Sequence, residues 1–125
     1  MTWQETAAQY LAARDQTIPH ELLTTSHPLP ADDVLDVSGF PTTPGVLSST
    51  ELEITQNLTV SELVEAIAAG KYSAVDVTKA FCHRAIVAHQ LTNCLTEVFF
   101  DKALNKAKEL DEYYAETGKT VGPLQ

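Results

Sequence analysis

Two cysteines and two histidines lie close together in the second half of the chain, at Cys82, His83, His89 and Cys94. Thiolate and imidazole are the usual ligands of zinc, so this group is the first candidate for chemistry. If residues 73–92 form one helix, Cys82 and His89 share a face but are roughly 10 Å apart along its axis, and His83 points about 100° away from Cys82. We therefore expect no metal site, and we interpret the cysteines as reduced, buried thiols.

Hydroxyl and thiol nucleophiles are the next candidates. Cys82 falls inside the predicted helix rather than at an exposed helix N-terminus, where a thiolate would be stabilised. Ser48, Ser49 and Thr50 form a run of hydroxyls, but no Gly-rich strained turn surrounds them, and a capping or turn role is the better interpretation. From the residues alone we predict no catalytic residue in this chain.

The remaining candidates lie in a proline-rich segment, where loop histidines are normally solvated. We expect this of His20 and His27. Asp32, Asp33 and Asp36 resemble a cation site by composition, but hard cations need about six or more oxygen ligands at a fixed spacing with a glycine turn. We therefore predict a solvated loop, and neither a metal nor any other cofactor.

Helices are the elements that would position these side chains. Thr2 and Glu5 form a capping box that predicts a first helix ending near Asp15. Thr59 belongs to a glycosylation sequon, Asn57-Leu58-Thr59, but we interpret it as a helix N-cap completed by Glu62. Apolar periodicity predicts three further helices, over residues 59–69, 73–92 and 101–117. From Pro19 to Gln56 the chain carries five of its six prolines, which predicts an extended arm.

The sequence CLTEVFF, residues 94–100, predicts one strand, because it is short, β-branched and aromatic, and apolar on both faces apart from Glu97. The chain is therefore predicted to be mostly α-helical with one strand. A lone strand leaves its backbone groups unpaired and needs a larger sheet. An unpaired strand would also permit self-association through residues 94–100.

Charge is unevenly distributed along the chain. Residues 1–70 hold ten acidic residues and one basic residue, Arg14, whereas residues 71–125 hold seven of each. This excess of acid argues against binding to nucleic acid or to anionic membranes, because both need basic residues at the contact. The N-terminus has no signal-peptide pattern, and no run approaches about 18 apolar residues, so we expect a cytoplasmic protein.

Residues 70–124 closely resemble the opening of the amidase signature family, in particular its fungal acetamidase or general amidase branch. The most specific stretch is AIVAHQLTNCLTEVFFDKALNKAKELD, residues 85–111, and residues 13–23 and 45–78 also fit that branch. The resemblance implies a large α/β enzyme with a mixed sheet wrapped by helices, which hydrolyses carboxylic amides with a serine nucleophile, a bridging serine and a lysine base. The motifs that carry those catalytic residues are not found in this sequence, and Gln125 stands where the family usually has histidine.

Two hypotheses follow from this resemblance. In the first, the chain is the N-terminal fragment of an amidase that converts small amides to acid and ammonia, and the fragment itself is inactive. Residues 1–58 would then be an N-terminal helix and proline-rich arm, and residues 59–125 the beginning of the amidase domain. In the second, the chain is a small helical interaction or regulatory module derived from an amidase. The module should fold alone and bury residues 94–100, whereas the fragment should expose them.

Overall fold

The computed structural model describes residues 1–124, which form a mostly helical structure. The α-helices are α1 (Trp3–Gln16), α2 (Ser49–Leu52), α3 (Val60–Ala68), α4 (Ala74–Thr92) and α5 (Phe100–Thr117). Short 3-10 turns occur at His20–Leu22 and Phe40–Thr42, and a π-helical turn at Glu53–Asn57 directly follows α2. Residues 1–124 contain no β-sheet, only an isolated bridge between Pro44 and Leu47.

Four of the helices begin with a complete capping box. The N-cap side chains of Thr2, Ser48, Thr59 and Ser73 each accept a hydrogen bond from the third helical N–H, and the carboxylate at that third position accepts one in return from the cap backbone. The capping roles predicted for Ser48 and Thr59 are therefore confirmed. These local hydrogen bonds fix where each helix starts without any help from tertiary packing.

Helix α4 is the centre of the structure and is buried by neighbours on several sides. Its Ile86 and Cys82 pack with Ile18 and Phe100, and its Val87 packs with a separate group that includes Leu47. A third group joins Ala80 to Ile54 and Tyr72. Ile54, Ile86 and Val87 are almost completely buried, and each contributes about 1.5–3 kcal/mol to folding through removal of its apolar surface from water. Helix α4 therefore takes part in all three apolar groups.

Helices α3, α4 and α5 are joined by polar contacts as well as by apolar packing. The hydroxyl of Tyr114 in α5 donates to the backbone carbonyl of Ala68 at 3.0 Å, at the C-terminal end of α3. Gly70 follows with φ +74°, and a Cβ at this position would lie 3.3 Å from the Tyr114 hydroxyl. Glycine is therefore favoured both by the left-handed backbone and by the close approach of the tyrosine.

The proline-rich segment packs on α4 instead of extending away from it. Val46 and Leu47 are buried against Val87, and the backbone of Thr24 exchanges hydrogen bonds with the side-chain amide of Gln90, at 2.9 and 3.4 Å. The expectation of an extended arm was therefore wrong for this part of the segment, because Val46 and Leu47 gain burial by packing beside α4.

The strand predicted for residues 94–100 is absent, and this part of the prediction was wrong. Helix α4 ends at Thr92, Asn93 adopts a left-handed conformation with φ 51°, and residues 94–99 are irregular. Helix α5 then begins at Phe100, one residue before the predicted start, and without a side-chain cap. A strand requires a neighbouring strand for its hydrogen bonds, and none lies beside this segment within the described residues.

Candidate functional site

The four cysteine and histidine side chains that suggested a metal site lie in different environments. Cys82 is buried in the core and Cys94 is exposed. His83 contacts Glu51, whereas the buried His89 accepts a hydrogen bond at Nδ1 from the backbone N–H of Leu95 at 3.1 Å. Residues 1–124 contain no group of three or more histidine, cysteine, aspartate or glutamate side chains placed to hold a metal ion.

The two thiols differ in exposure, and we therefore expect them to differ in reactivity. Burial raises the pKa of the Cys82 thiol above its usual value, and the neutral thiol is a weak nucleophile. The interpretation of both cysteines as buried was wrong for Cys94, which lies just after the left-handed Asn93 at the surface. Within residues 1–124, neither cysteine is hydrogen-bonded to a histidine ring: His27, His83 and His89 instead contact Ser26, Glu51 and the backbone of Leu95.

A largely buried contact between Glu51 of α2 and His83 of α4 is the main polar feature that sequence reasoning missed. The Nδ1 atom of His83 and the Oε1 atom of Glu51 are 2.7 Å apart. Burial by itself would raise the pKa of Glu51, but hydrogen bonds from Ser48 and His83, together with the charge of His83, hold it below its ordinary value. The sequence does identify Glu51, through the capping-box spacing Ser48-x-x-Glu51. This spacing does not indicate that His83 contacts the carboxylate.

Cationic side chains attach the π-helical turn to its neighbours. Arg84 of α4 donates from Nη1 to the hydroxyl of Thr55 at 3.0 Å and to the side-chain oxygen of Gln56 at 3.2 Å. Lys71 forms an ion pair with Glu53 at 2.7 Å. These groups are all engaged in holding segments together, and we assign them a structural role.

The remaining sequence candidates also have structural surroundings. Ser48 caps α2, while Ser49 and Thr50 are exposed on its first turn. His27 is not a freely solvated loop side chain as expected: its ring packs against Gly45, where an added Cβ would lie 2.8 Å from Cε1. His20 is exposed.

The three aspartates do not come together as a cation site. Asp36 accepts hydrogen bonds at one oxygen from both the hydroxyl and the backbone N–H of Ser38, at 2.6 and 3.0 Å. These bonds lower the pKa of Asp36 below its usual range. Asp32 and Asp33 are exposed. The group is a turn stabilised by an aspartate side chain.

A groove of about 510 Å³ lies between α1 and the irregular segment before α5. The groove is lined by Tyr10, Ala13, Arg14, Thr17, Thr96, Glu97, Val98 and Phe99. The Arg14 guanidinium is already occupied: it donates to the carbonyl of Leu95 at 2.8 Å and forms an ion pair with Asp15 at 2.8 Å. The lining thus combines apolar surface from Ala13, Val98 and Phe99 with the polar groups of the tyrosine, the two threonines and Glu97.

Comparisons with known proteins place this arrangement in a family. The sequence model of the family described as Amidase matches residues 76–125. Over 98% of its length the chain is 48% identical to an acetamidase of Emericella nidulans and 42% identical to an acetamidase of Aspergillus oryzae. The chain belongs to the amidase family. Its resemblance to the fungal acetamidase branch, first seen in residues 85–111, is confirmed.

The amidase fold supports the same conclusion. The structure superposes on fatty acid amide hydrolase with a TM-score of 0.86 and 40% sequence identity, over 98% of this chain and 22% of the other. The chain likewise spans 22% of the length of each acetamidase. The described helices therefore match one portion of the fatty acid amide hydrolase structure. None of them is long and apolar enough to cross a membrane, as far as residues 1–124 are concerned.

Proposed function

We propose that this chain is part of an enzyme that hydrolyses carboxylic amides, such as acetamide, to the acid and ammonia. The observation that carries this proposal is the 42–48% identity to the two acetamidases over 98% of the chain. The similarity to fatty acid amide hydrolase, which by its name also acts on an amide, supports the same bond as the target.

Within that enzyme, we propose that residues 1–125 supply scaffold and no catalytic residue. Amide hydrolysis needs an activated nucleophile, a base and donors for the oxyanion. In the part of the chain that the structure describes, Cys82 is buried with a raised pKa, Ser48 is committed to a helix cap, and His83 is paired with Glu51. The isolated chain is therefore expected to be inactive.

The division of the chain follows from the same proposal. Residues 59–125 would be the beginning of the amidase domain, since the family match covers residues 76–125. Residues 1–58 would be an N-terminal extension that packs along α4 through Ile18, Leu47 and Ile54. The scaffold role is then to hold α4 and α5 in place against the rest of the enzyme.

A second candidate is a small helical interaction or regulatory module derived from an amidase. It is favoured by the stabilisation within the chain itself. Ile54, Ile86 and Val87 are almost fully buried, and four helices have capping boxes. Such local and core stabilisation can support folding without the remainder of an amidase.

Acetamide hydrolysis distinguishes these functions when it is measured on two proteins. One is the chain of 125 residues alone, and the other is a chimera in which residues 1–124 replace the matching portion of the Emericella nidulans acetamidase. We expect ammonia release from the chimera at a rate comparable to that of the parent acetamidase, and only the uncatalysed rate from the chain alone. Turnover by the isolated chain that disappears in Cys82→Ala would contradict the scaffold role. A folded but inactive chimera would favour the module.

A further inference from the structure

We infer that the buried His89 is a proton-sensitive latch, which holds the segment between α4 and α5 while its ring is neutral and releases that segment when the ring gains a proton. The latch consists of the ring of His89, the backbone of Leu95 and the guanidinium of Arg14. The segment that it holds is residues 94–99. This latch is independent of the proposed hydrolysis of amides.

The hydrogen bond between His89 and Leu95 defines the protonation state of the ring. The backbone N–H of Leu95 donates to Nδ1 of His89 at 3.1 Å. A backbone N–H can only donate, so Nδ1 offers its lone pair and the ring is neutral, with its proton on Nε2. A doubly protonated ring would instead point an N–H group at the N–H of Leu95. The bound arrangement is therefore incompatible with the imidazolium form.

His89 also holds the end of α4 through its own backbone. Its carbonyl accepts a hydrogen bond at 2.7 Å from the N–H of Asn93, the left-handed residue at which the helix ends. The same residue thus holds the chain at two points, one through its carbonyl and one through its ring. Because only the ring bond depends on protonation, acid should release Leu95 while leaving the end of α4 intact.

The carbonyl side of Leu95 is bound to a cation. It accepts a hydrogen bond from Nη1 of Arg14 at 2.8 Å, and the Arg14 side chain is only 9% exposed. Asp15, which pairs with the same guanidinium, is 58% exposed, so solvent screens its charge. Protonation of His89 would place a second positive charge on the other side of Leu95. Opening of the segment admits water between the two cations and weakens their repulsion.

The other titratable groups near this face of α4 are neutral or exposed. His89 lies three residues after Ile86 and seven after Cys82, so it shares the face that packs against residues 18–23, the segment and the start of α5. The buried Cys82 thiol has a raised pKa and is uncharged. His83 and Arg84 of α4 contact α2 and the π-helical turn instead. The groups on the packed elements are exposed, and solvent screens those that are charged: His20, Glu21, Cys94, Glu97, Asp101 and Lys102.

The helix dipole does not oppose opening. His89 belongs to the last turn of α4, where the partial negative charge of the helix end attracts a cation. The ring keeps this position whether Leu95 is bound or released, so the attraction is the same in both arrangements. Only an interaction that differs between two states can shift their balance. Protonation of His89 therefore favours the released arrangement.

Hydrogen exchange of the Leu95 amide in the 125-residue chain tests the latch. The readout is the protection factor, which compares the measured rate with that of an unstructured peptide at the same pH. Because the released arrangement takes up the proton, protection of Leu95 should fall by about 10-fold or more between roughly pH 8 and pH 5, where histidine side chains titrate. Protection of the Ile86 amide, in the buried centre of α4, should stay constant. Constant protection of Leu95 would overturn the inference, as would an equal fall at both amides.

Substitutions at His89 separate the proton from the hydrogen bond. In His89→Asn, Oδ1 takes the place of Nδ1 and accepts from Leu95 but gains no proton, so Leu95 should stay protected over the whole pH range. His89→Ala removes the acceptor and should leave Leu95 weakly protected throughout. His83→Asn is the matched control at another histidine of α4, and it should retain the wild-type pH dependence. A pH dependence that persists in His89→Asn would assign the effect to another group and overturn the inference.

The wild-type chain provides a further test that does not depend on how well the variants fold. The ¹⁵N chemical shifts of the His89 ring distinguish a neutral ring with its proton on Nε2 from an imidazolium. We expect the neutral form at about pH 8, and conversion to the imidazolium over the same pH interval in which Leu95 loses protection. A ring that carries its proton on Nδ1 at about pH 8, or one that titrates while Leu95 stays protected, would overturn the inference.

Discussion

The carboxylate of Asp111 in α5 caps the N-terminus of α4, where it accepts hydrogen bonds from the backbone N–H of Ala74 at 2.7 Å and from that of the next residue at 3.0 Å. Helix N-termini carry unsatisfied donors and a partial positive charge, so a carboxylate there is doubly favourable. The contact fixes α5 against the end of the central helix.

Loss of this cap should destabilise the protein. We expect Asp111→Ala to lower the free energy of unfolding by about 1–2 kcal/mol, the usual effect of losing a helix cap. Urea unfolding followed by circular dichroism measures it. Glu112→Ala is the matched control, because it removes the same charge from an exposed position on the same helix. Equal losses in the two variants would show that charge, and not the cap, accounts for the effect.

The Glu51–His83 pair should make stability depend on pH in the acid range. The pKa of Glu51 lies below its ordinary value of 4.5, so the unfolded chain takes up the proton first as the pH falls. The stabilisation from the ionised Glu51 carboxylate is therefore complete above the ordinary pKa of 4.5. It is lost as the pH falls through the lower pKa that Glu51 has in the folded protein. The difference in unfolding free energy between wild type and Glu51→Gln should shrink over the same range, and a constant difference from pH 6 to pH 3 would contradict this assignment.

Arg14 should hold the segment before α5 in place, since its side chain is only 9% exposed and donates to the carbonyl of Leu95. We expect Arg14→Ala to cost about 1.5–3 kcal/mol, the range for a hydrogen bond that involves a charged group, and to increase protease cleavage within residues 95–99. Lys79→Ala, which removes an exposed charge from α4, serves as the control. Unchanged cleavage in Arg14→Ala would show that other contacts hold this segment.

Gly45 should tolerate no side chain. Its φ is +90°, and an added Cβ would lie 2.8 Å from the ring of His27. Gly45→Ala is expected to cost more than about 1 kcal/mol of stability, whereas Gly39→Ala, with nothing within 4 Å, should have little effect. The double variant Gly45→Ala, His27→Ala should recover the steric part of the loss. Thermal unfolding compares these variants, and no recovery would assign the whole cost to the backbone conformation.

The two thiols should react at very different rates. Cys94 is exposed, while Cys82 is buried with a raised pKa, and thiolate content and access both control the reaction. A chromogenic disulfide reagent should modify one thiol per chain rapidly in the native protein and the second only after unfolding. Cys94→Ser should remove the rapid phase. A rapid phase that persists in this variant would mean that Cys82 becomes accessible in solution.

Much of the local structure could be predicted from the sequence alone. Capping boxes at Thr2 and Thr59 and left-handed glycines at Gly70 and Gly118 mark the ends of helices, and the structure has these features. Each depends on residues within about four positions of one another, so the sequence pattern already contains the interacting groups. Family membership could also be inferred, because residues 85–111 are specific enough to identify it.

Tertiary structure decided the features that join distant parts of the chain. The contact of Glu51 with His83 spans 32 residues, and the hydrogen bond from Arg14 to Leu95 spans 81. Residues 94–99 show the same dependence: their composition favours a strand, but strand formation requires hydrogen bonds to a neighbouring segment. Residues 1–124 offer none, so this stretch stays irregular, with Val98 packed against the group around Ile86. Local sequence patterns therefore determined the helices. The hydrogen-bond and packing partners that the tertiary structure provides determined the conformation of the segments between them.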